Sequence, residues 1–413
     1  MEKGHVKMKN TKLYIVMVGL PARGKSTIAS KLKANLSKNS IKTRIFNNGN
    51  LRRKLTTEDT FSPSFYDPRN SKGVALRESF ALTNIRRANN FLNKNGQVAI
   101  LDATNVSIKR RSIICRMLNS DHPILFIECI NDDQNILETN ILRKASLPEF
   151  SHLTQEEAVQ SFKKRITYYS TIYTPLKNEQ NFIKLDSLNN KIIEEKINTD
   201  IPFYDRIRDL LVTDIIKNLF LIRHGETFFN RENRIGGDSL LTENGIAQAE
   251  ALAQYFKNRV IPVIFTSEKQ RTLQTAKPIC MLQKNCSIVV LKEFNEIDSG
   301  VCECMTYKEI REKMPEVYVS RKKDKYNYIY PGGEGYVSMK ERVNMGIKKA
   351  IYLSNNSKNI MIVGHQAVNR MILAHFLYRR QEDVPYTYIP QDKFYHIVAT
   401  QDKKLFQLRS YGI

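Results

Sequence analysis

The feature that most constrains the fold is an apolar run that leads directly into a glycine-rich loop. The run, from Leu13 to Val18, has the length of a buried β-strand. The pattern Gly-x4-Gly-Lys-Ser follows from Gly19 to Ser26, and residues 27 to 37 have the pattern of an amphipathic helix. Strand, loop and helix in this order predict a P-loop, in which backbone N–H groups and the helix N-terminus surround phosphate groups.

The P-loop pattern also predicts what its side chains do. Lys25 is expected to reach the terminal phosphates of a nucleotide, and the Ser26 hydroxyl is expected to bind Mg²⁺. The alternative is a glycine-rich turn without a ligand, which the flanking strand and helix argue against. The residues predicted to bind ATP are Gly19, Leu20, Pro21, Ala22, Arg23, Gly24, Lys25, Ser26 and Thr27.

Further apolar runs follow at the spacing of an α/β domain. They lie at 43–47, 97–102, 123–130 and 181–186, and helical patterns separate them at 74–92, 107–118 and 155–169. This alternation predicts a mostly parallel sheet with helices on both faces. Asp102 ends one of the runs, so its carboxylate is predicted to bind Mg²⁺ with Ser26, as a Walker-B aspartate does. A plain turn at the strand end is the alternative.

A second motif directed at phosphate lies in the other half of the chain. The apolar run 218–222 ends on Arg223 and His224. The arginine can neutralise phosphate oxygens while the imidazole attacks phosphorus and forms a phosphohistidine, which water then hydrolyses. His365 follows another apolar run, and Arg271 lies between the two histidines. These four side chains would form one cationic pocket, whereas a core histidine is the alternative for each ring.

Length and composition indicate two globular domains. The chain has 413 residues, of which 41% are hydrophobic, and we place the boundary near Thr213, giving domains 1–213 and 214–413. No apolar run is long enough to span a membrane, and residues 1–12 lack the apolar stretch of a secretion signal. Six cysteines without a CxxC pair are typical of a reduced protein. We therefore expect a cytoplasmic protein with no membrane partner.

The net charge of +23 is the outlying number in the composition. Such a charge can indicate binding to nucleic acid or to highly phosphorylated small molecules. The basic residues are dispersed, and no run of five occurs. Dispersed basic residues are weak evidence for binding to a polyanion, so we do not expect a nucleic-acid partner.

The first half resembles the kinase half of the bifunctional 6-phosphofructo-2-kinase/fructose-2,6-bisphosphatase family. The resemblance rests on residues 19–26, on 46–53 with its arginine pair, and on 102–105. It implies an α/β/α P-loop domain that makes fructose 2,6-bisphosphate from ATP and fructose 6-phosphate. Asp102 matches the catalytic aspartate of the family, and Asn140 to Lys144 matches a segment that contacts ATP, one residue shorter than usual. The implied fructose 6-phosphate contacts are Arg52, Arg77, Thr104, Arg110, Lys144, Arg165 and Tyr169.

The second half resembles the histidine phosphatase superfamily, and specifically the bisphosphatase half of the same family. It implies a second α/β/α domain in which Arg223, His224, Arg271 and His365 are catalytic. Residues 294–302 match the acid loop, with Glu296 as the proton donor. Ile329 and Cys304 depart from the family pattern, where an arginine and an acidic residue are common. The implied bisphosphate contacts are Arg223, Asn230, Gly236, Arg271, Tyr307, Arg321, Lys325, Tyr336, Gln366 and Arg370.

Together these patterns favour a bifunctional enzyme that controls glycolysis by making and hydrolysing fructose 2,6-bisphosphate. The resemblance covers about residues 12–410 and also implies a homodimer joined through the kinase domains. One alternative is a single-activity member, with a kinase silenced by the short 140–144 segment or a phosphatase weakened by Ile329. A second is a kinase-phosphatase that heals nucleic-acid ends. A scaffold without catalysis would leave both motifs unexplained.

Overall fold

The chain folds into two compact units that divide between Thr213 and Asp214. The computed structural model describes residues 11–55, 60, 62–146, 148–151, 153–377, 380–400 and 403–412. Most of the basic segment 1–12 lies outside these residues. None of the helices in the described part of the chain is both long and apolar enough to cross a bilayer.

The first unit is built on a sheet whose described strands run in the order β2-β3-β1-β4-β5-β6. Its strands are β1 Leu13–Val18, β2 Thr43–Asn47, β3 Val98–Asp102, β4 Ile124–Ile130, β5 Asn181–Asp186 and β6 Lys191–Ile197. Its helices are α1 Lys25–Lys38, α2 Asn48–Leu55, α3 Ser71–Lys94, α4 Ile108–Met117, α5 Gln134–Ala145, α6 Gln155–Thr171 and α7 Tyr204–Val212.

The prediction of a mostly parallel sheet in this unit is confirmed. Strands β1 to β5 pair in parallel, and only β6 is antiparallel to its neighbour β5. The short connection between β5 and β6 leaves no room for a crossover helix, so the chain must reverse direction there. Strand β6 and helix α7 lie between this sheet's last parallel strand and the domain boundary.

The P-loop leaves the central strand of this sheet. Strand β1 is buried along its whole length and lies between β3 and β4. Because these strands are parallel, the loop after Val18 and the carboxylate of Asp102 lie at the same edge. The Gly19 N–H donates to the Thr104 carbonyl at 3.0 Å, which ties the two segments together. A side chain at Gly19, whose φ is +131°, would meet the Cys129 carbonyl at 2.5 Å.

The second unit is built on a mixed sheet, with described strands in the order β12-β11-β7-β10-β8-β9. Its strands are β7 Ile216–Arg223, β8 Val263–Thr266, β9 Ser287–Val290, β10 Ile360–Gly364, β11 Lys393–Ala399 and β12 Lys404–Ser410. Its helices are α8 Phe228–Arg231, α9 Glu243–Phe256, α10 Gln270–Met281, α11 Tyr307–Lys313, α12 Pro315–Lys323, α13 Tyr336–Leu353 and α14 Gln366–Leu377.

Strands β7 and β10, which the sequence predicts, are neighbours in this sheet. They pair in parallel, with Arg223 opposite Gly364. The residues that follow them, His224 and His365, are therefore brought to one edge although they are far apart in the sequence. The His224 N–H donates to the Gly364 carbonyl at 3.0 Å and fixes the two strand ends together.

Aromatic residues form much of the core on one face of the second sheet. The Phe220 and Phe256 rings lie 4.9 Å apart between centroids, and the Phe256 and Phe394 rings lie 5.1 Å apart. All three side chains are buried. Such burial contributes roughly 2–3 kcal/mol for each ring, and it fixes strand β7 against helix α9.

We predict that Gly245→Ala destabilises the second unit. Gly245 lies in the first turn of α9, where an added Cβ would stand 2.1 Å from the Glu226 carbonyl oxygen. The backbone must move to admit it, so urea denaturation should show a free energy of unfolding lower by about 1–3 kcal/mol. The exposed neighbour Ile246 supplies the control, because Ile246→Ala should change that free energy by less than about 0.5 kcal/mol. Equal stability of the two variants would contradict the packing described here.

Candidate active sites

Lys25 lies on the inner side of the P-loop. Its Nζ donates to the Leu20 carbonyl at 2.6 Å, and the loop turns through left-handed backbone at Ala22 and Gly24. Burial lowers the pKa of Lys25 to about 8, although the nearby Asp102 carboxylate opposes the shift. An anionic ligand stabilises a buried ammonium of this kind, and binding of phosphate is the role predicted for Lys25.

Asp102 presents a buried carboxylate beside this loop. The Asn47 side chain, opposite it on β2, donates to its Oδ2 at 2.6 Å. Carboxylate and hydroxyl oxygens, as Asp102 and Ser26 supply, are the ligands that Mg²⁺ prefers. The described residues hold no cluster of three or more His, Cys, Asp or Glu side chains that suits a metal. A carboxylate and a hydroxyl are donor types that Mg²⁺ combines with nucleotide phosphates, so the chemistry of Asp102 and Ser26 fits the predicted metal.

Helix α5 carries the segment predicted to contact ATP. The helix runs unbroken through the shortened segment. Asn140 donates from Nδ2 to the Ala22 carbonyl at 3.2 Å, so the helix contacts the P-loop. Lys144 lies four residues further along the same face of α5 and is exposed to solvent. Although the segment is one residue shorter than in the family, Asn140 and Lys144, which are predicted to contact ATP, lie on one face of this helix.

Four of the predicted fructose 6-phosphate contacts meet around Tyr66, which the sequence analysis did not identify. The Arg165 guanidinium lies 4.1 Å from the centroid of the Tyr66 ring, and those of Arg52 and Arg77 lie 5.8 and 5.9 Å away. The Tyr169 ring lies 6.1 Å away. Arg165 Nε is buried without a hydrogen-bond partner among the described residues. The site thus brings together residues from α2, α3 and α6.

Carboxylates and carbonyls hold the other cations of this cluster. Arg52 forms a buried ion pair with Glu149, and Arg77 donates to the carbonyl of Phe65. Burial lowers the pKa of Arg52 to about 10, and the charge of Arg165 adds to the effect. Arg110 pairs with Glu78 at 2.5 Å. Because no sequence spacing relates these partners, sequence analysis could not find them.

His224 is held in one tautomer. Its Nδ1 lies 2.8 Å from the Gly225 carbonyl, which can only accept, so Nδ1 carries the proton and Nε2 the lone pair. Burial lowers the pKa of His224 well below 6.5, and the charges of Arg271 and Arg223 lower it further. A neutral ring with a free lone pair is the nucleophilic form of histidine.

A cavity of about 320 Å³ opens beside His224. Among the described residues that line it are six cationic side chains and one carboxylate, that of Glu296. Burial lowers the pKa of Lys325, one of these cations, to about 8, and the neighbouring arginines contribute. The predicted residues that line the cavity are Arg223, His224, Asn230, Gly236, Arg271, Glu296, Tyr307, Arg321, Lys325, Tyr336, Gln366 and Arg370. Its charge and volume suit a small ligand with several phosphate charges.

His365 is fully buried and lies outside the lining of this cavity. Its ring stands 5.3 Å from that of His224, between centroids. Arg271 Nε donates to its Nδ1 at 3.2 Å, so Nε2 carries the proton and donates to Ser267 Oγ at 2.8 Å. Burial and Arg271 lower the pKa of His365. The two histidine rings lie close together as predicted, but His365 is hydrogen-bonded to Arg271 and Ser267 and does not line the cavity.

Tyrosine hydroxyls and a backbone carbonyl hold three further cations that line the cavity. Arg321 donates to the Tyr307 hydroxyl at 3.0 Å, and its guanidinium lies 4.9 Å from the centre of that ring. Arg370 donates to the Tyr336 hydroxyl at 3.0 Å. Lys325 Nζ donates to a backbone carbonyl at 3.1 Å. These contacts fix where the positive charges stand before a ligand arrives.

The Glu296 carboxylate lies against the first turn of α14. It accepts from the N–H groups of Ala367 at 3.2 Å and Val368 at 3.3 Å, and from its own neighbour Ile297 at 3.0 Å. Its charge also acts on Arg223 and Arg271, which line the same cavity. The predicted proton donor thus lines the cavity and is held by N–H groups at the start of α14.

The departures from the family pattern lie at the margin of this site. Ile329 is half-exposed and does not line the cavity. Cys304 is exposed, with φ +63°, and its carbonyl accepts from Arg234 at 2.9 Å. Arg234, Tyr328 and Tyr330 line the cavity although the sequence analysis missed them. In the sequence, these three residues are marked only by lying close to residues that were predicted to contact the bisphosphate.

Comparison with known proteins divides the chain into the same two halves. The family model for 6-phosphofructo-2-kinase matches residues 2–205, and the model for the histidine phosphatase superfamily (branch 1) matches residues 219–412. The chain is 34% identical over 396 residues to "6-phosphofructo-2-kinase/fructose-2,6-bisphosphatase 3" of Rattus norvegicus, covering 93% of this chain and 69% of that protein. It is also 34% identical to "6-phosphofructo-2-kinase/fructose-2,6-bisphosphatase" of Aquarana catesbeiana, covering 92% and 81%.

We predict that His224 remains neutral at pH 6. A histidine in an unstructured peptide is mostly protonated there, because its pKa is about 6.5. A base whose pKa is lowered keeps its neutral form to lower pH, so ¹⁵N-labelled histidine should report the Nδ1–H tautomer for His224. The His224→Gln spectrum would assign the signal. A His224 ring protonated on both nitrogens at pH 6 would contradict this environment.

We also predict that ATP binding takes up protons through Lys25. With a pKa of about 8, part of Lys25 is neutral at pH 8, and phosphate charges should raise the pKa. Calorimetry at pH 8 in buffers of different ionisation enthalpy should therefore show an uptake of about half a proton. Lys25→Arg, which keeps a permanent charge, should remove this uptake. Uptake equal in the two proteins would rule out Lys25 as its source.

Proposed function

This chain belongs to the bifunctional 6-phosphofructo-2-kinase/fructose-2,6-bisphosphatase family, and we propose that its two units catalyse the two opposed reactions of that family. Domain 1–213 makes fructose 2,6-bisphosphate from ATP and fructose 6-phosphate. Domain 214–413 hydrolyses it to fructose 6-phosphate and phosphate. The supporting observation is the cationic cavity around neutral His224, in a chain that also carries a P-loop beside a buried aspartate.

In the kinase reaction, the sugar O2 attacks the γ-phosphorus of ATP, the bond to the ADP oxygen breaks, and the hydroxyl proton is released. Lys25 neutralises charge that develops on the phosphate oxygens, and Lys144 adds a second positive charge from α5. Mg²⁺ held by Ser26 and Asp102 would supply further positive charge at the phosphates. Fructose 6-phosphate would bind at the arginine cluster around Tyr66, where the unpaired Arg165 Nε supports this placement.

In the phosphatase reaction, His224 Nε2 attacks the phosphorus at C2 of the sugar. The bond between phosphorus and the sugar oxygen breaks, and that oxygen takes the proton of Glu296. Water then attacks the phosphohistidine, Glu296 accepts its proton, and the bond between phosphorus and Nε2 breaks. Arg223 and Arg271 hold the phosphoryl oxygens in both steps.

The charge distribution of the cavity supports a substrate with two phosphates. Arg223 and Arg271 act on His224, and these groups form one end. Arg321 and Arg370 act on Lys325 and form a second group of positive charges, and Arg370 also acts on Arg223, so it lies between the two groups. A sugar with phosphates at opposite ends would bind to both groups. A substrate with one phosphate would need only one of these groups of positive charges.

Two of the sequence alternatives lose their basis. Helix α5 keeps its contact with the P-loop, and Ile329 lies outside the cavity, so neither departure argues for a single activity. A kinase-phosphatase for nucleic-acid ends is not favoured, because the likeness to the relatives covers 93% of the chain. We further propose that the protein acts in the cytoplasm, as its six unpaired cysteines suggest, and forms a homodimer through its kinase domains.

Separate variants of the two units test the proposed function. Lys25→Met should abolish ATP-dependent synthesis of fructose 2,6-bisphosphate and leave its hydrolysis within about threefold of normal, because the sites are separate. His224→Ala should do the reverse. It should also remove the acid-labile, base-stable label that 2-³²P-fructose 2,6-bisphosphate leaves on the protein.

His375→Gln is the matched control, because His375 is hydrogen-bonded to Asn344 and does not line the cavity. It should retain both activities and the label. Hydrolysis undiminished in His224→Ala would exclude the covalent route. Concerted loss of both activities in Lys25→Met would count against independent sites.

A further inference from the structure

One face of helix α13 holds the loop that carries Glu296. Arg342 Nη1 donates to the carbonyl oxygens of Glu293 at 2.9 Å and Asn295 at 2.8 Å. Arg342 Nη2 reaches the carbonyl of Glu296 itself at 3.4 Å. A single guanidinium therefore holds three carbonyls of the loop, with the planar fork that arginine provides.

Glu334 completes this contact from the other side of the guanidinium. Its carboxylate accepts from Arg342 Nε at 2.8 Å and from Arg342 Nη2 at 2.6 Å. Its N–H donates to the Asp298 carbonyl at 2.8 Å, and its Oε2 accepts from the Asp298 N–H at 3.2 Å. The Arg342–Glu334 pair thus binds the loop before Glu296, through the Glu293 and Asn295 carbonyls, and after it, through the Asp298 backbone.

Two more residues of α13 dock the same loop. Gly346 allows close approach, because an added Cβ would stand 2.7 Å from the Phe294 ring. Lys349 Nζ forms a buried ion pair with the Glu293 carboxylate at 2.7 Å. Positions 342, 346 and 349 share one face of a helix, so this face is shaped to receive the loop.

We propose that Arg342, together with Glu334, is a positioning residue for the bisphosphatase reaction. Neither residue lines the cavity. Their contacts fix the backbone of Glu296, while the N–H groups at the start of α14 hold its carboxylate. The proposal rests on the proposed role of Glu296 as proton donor, because its effect is to place that carboxyl against the leaving oxygen.

The proposal predicts a defect that depends on the leaving group. A sugar alkoxide is a poor leaving group and needs the proton of Glu296, whereas p-nitrophenolate leaves without one. Misplacing the donor should therefore slow transfer of the phosphoryl group from fructose 2,6-bisphosphate to His224 and spare its transfer from p-nitrophenyl phosphate. The later hydrolysis of the phosphohistidine, in which Glu296 acts as a base, is common to both substrates and is excluded from the comparison. A general loss of folding would slow both substrates together.

The experiment follows release of the leaving group in a single turnover, before the phosphohistidine is hydrolysed, for Arg342→Met and Glu334→Gln on these two substrates. We expect the rate constant for release of fructose 6-phosphate to fall about 10–100-fold, with the half-saturating substrate concentration within about threefold, and release of p-nitrophenolate to stay within about threefold. Arg342→Lys should recover part of the loss, since an ammonium can bond one carbonyl but not all three. Lys340→Met, on an exposed position of the same helix, should match the unmodified enzyme.

Glu296→Gln separates failure of the proposal from failure of the proposed function. A substrate-dependent loss in Glu296→Gln, with none in the Arg342 and Glu334 variants, would overturn the positioning role alone. A Glu296→Gln variant in which release of both leaving groups is slowed equally in a single turnover would overturn the role of Glu296 as proton donor. Equal losses on both substrates in Glu334→Gln, the milder change, would also overturn the positioning role, and thermal unfolding of each preparation checks that the second unit is folded.

Discussion

Parallel pairing of the central strands decides where chemistry takes place in both units. In the first, the pairing of β1 with β3 puts the P-loop and Asp102 at one edge of the sheet. In the second, the pairing of β7 with β10 brings His224 and His365 to adjacent strand ends. Parallel strands all end at the same edge, so residues distant in the sequence meet there without any local signal. The helices and loops then add charge around these fixed points.

Desolvated positive charge is the shared electrostatic feature of the two sites. Burial lowers the pKa of Lys25 and of Lys325 to about 8, and it keeps His224 neutral. Buried cations that lie close together repel one another, which is unfavourable in the protein without ligand. A bound phosphate reduces this repulsion. The same environment that favours phosphate binding leaves the histidine ring free to act as a nucleophile. Binding and reactivity therefore have one physical origin.

Much of the fold and the centre of each site could be predicted because the signals are local. The strand before Gly19 and the strand before His224 were both predicted, since apolar runs of strand length need no partner to be recognised. Tyr66 and Arg342 could not be found in the same way. Tyr66 collects arginines from three helices, and Arg342 binds carbonyl groups, which every residue possesses. Their roles depend on packing partners that no spacing in the chain reveals.

The sequence by itself determined the chemistry available to this protein. A lysine in a glycine-rich loop, and a histidine after an arginine at a strand end, specify phosphoryl transfer through local backbone geometry. Only the tertiary structure decided which distant side chains share a site, and that His365 stands behind His224 instead of lining the cavity. The reason is physical: a motif is fixed by neighbours in the chain, whereas a pocket is fixed by how separate elements pack.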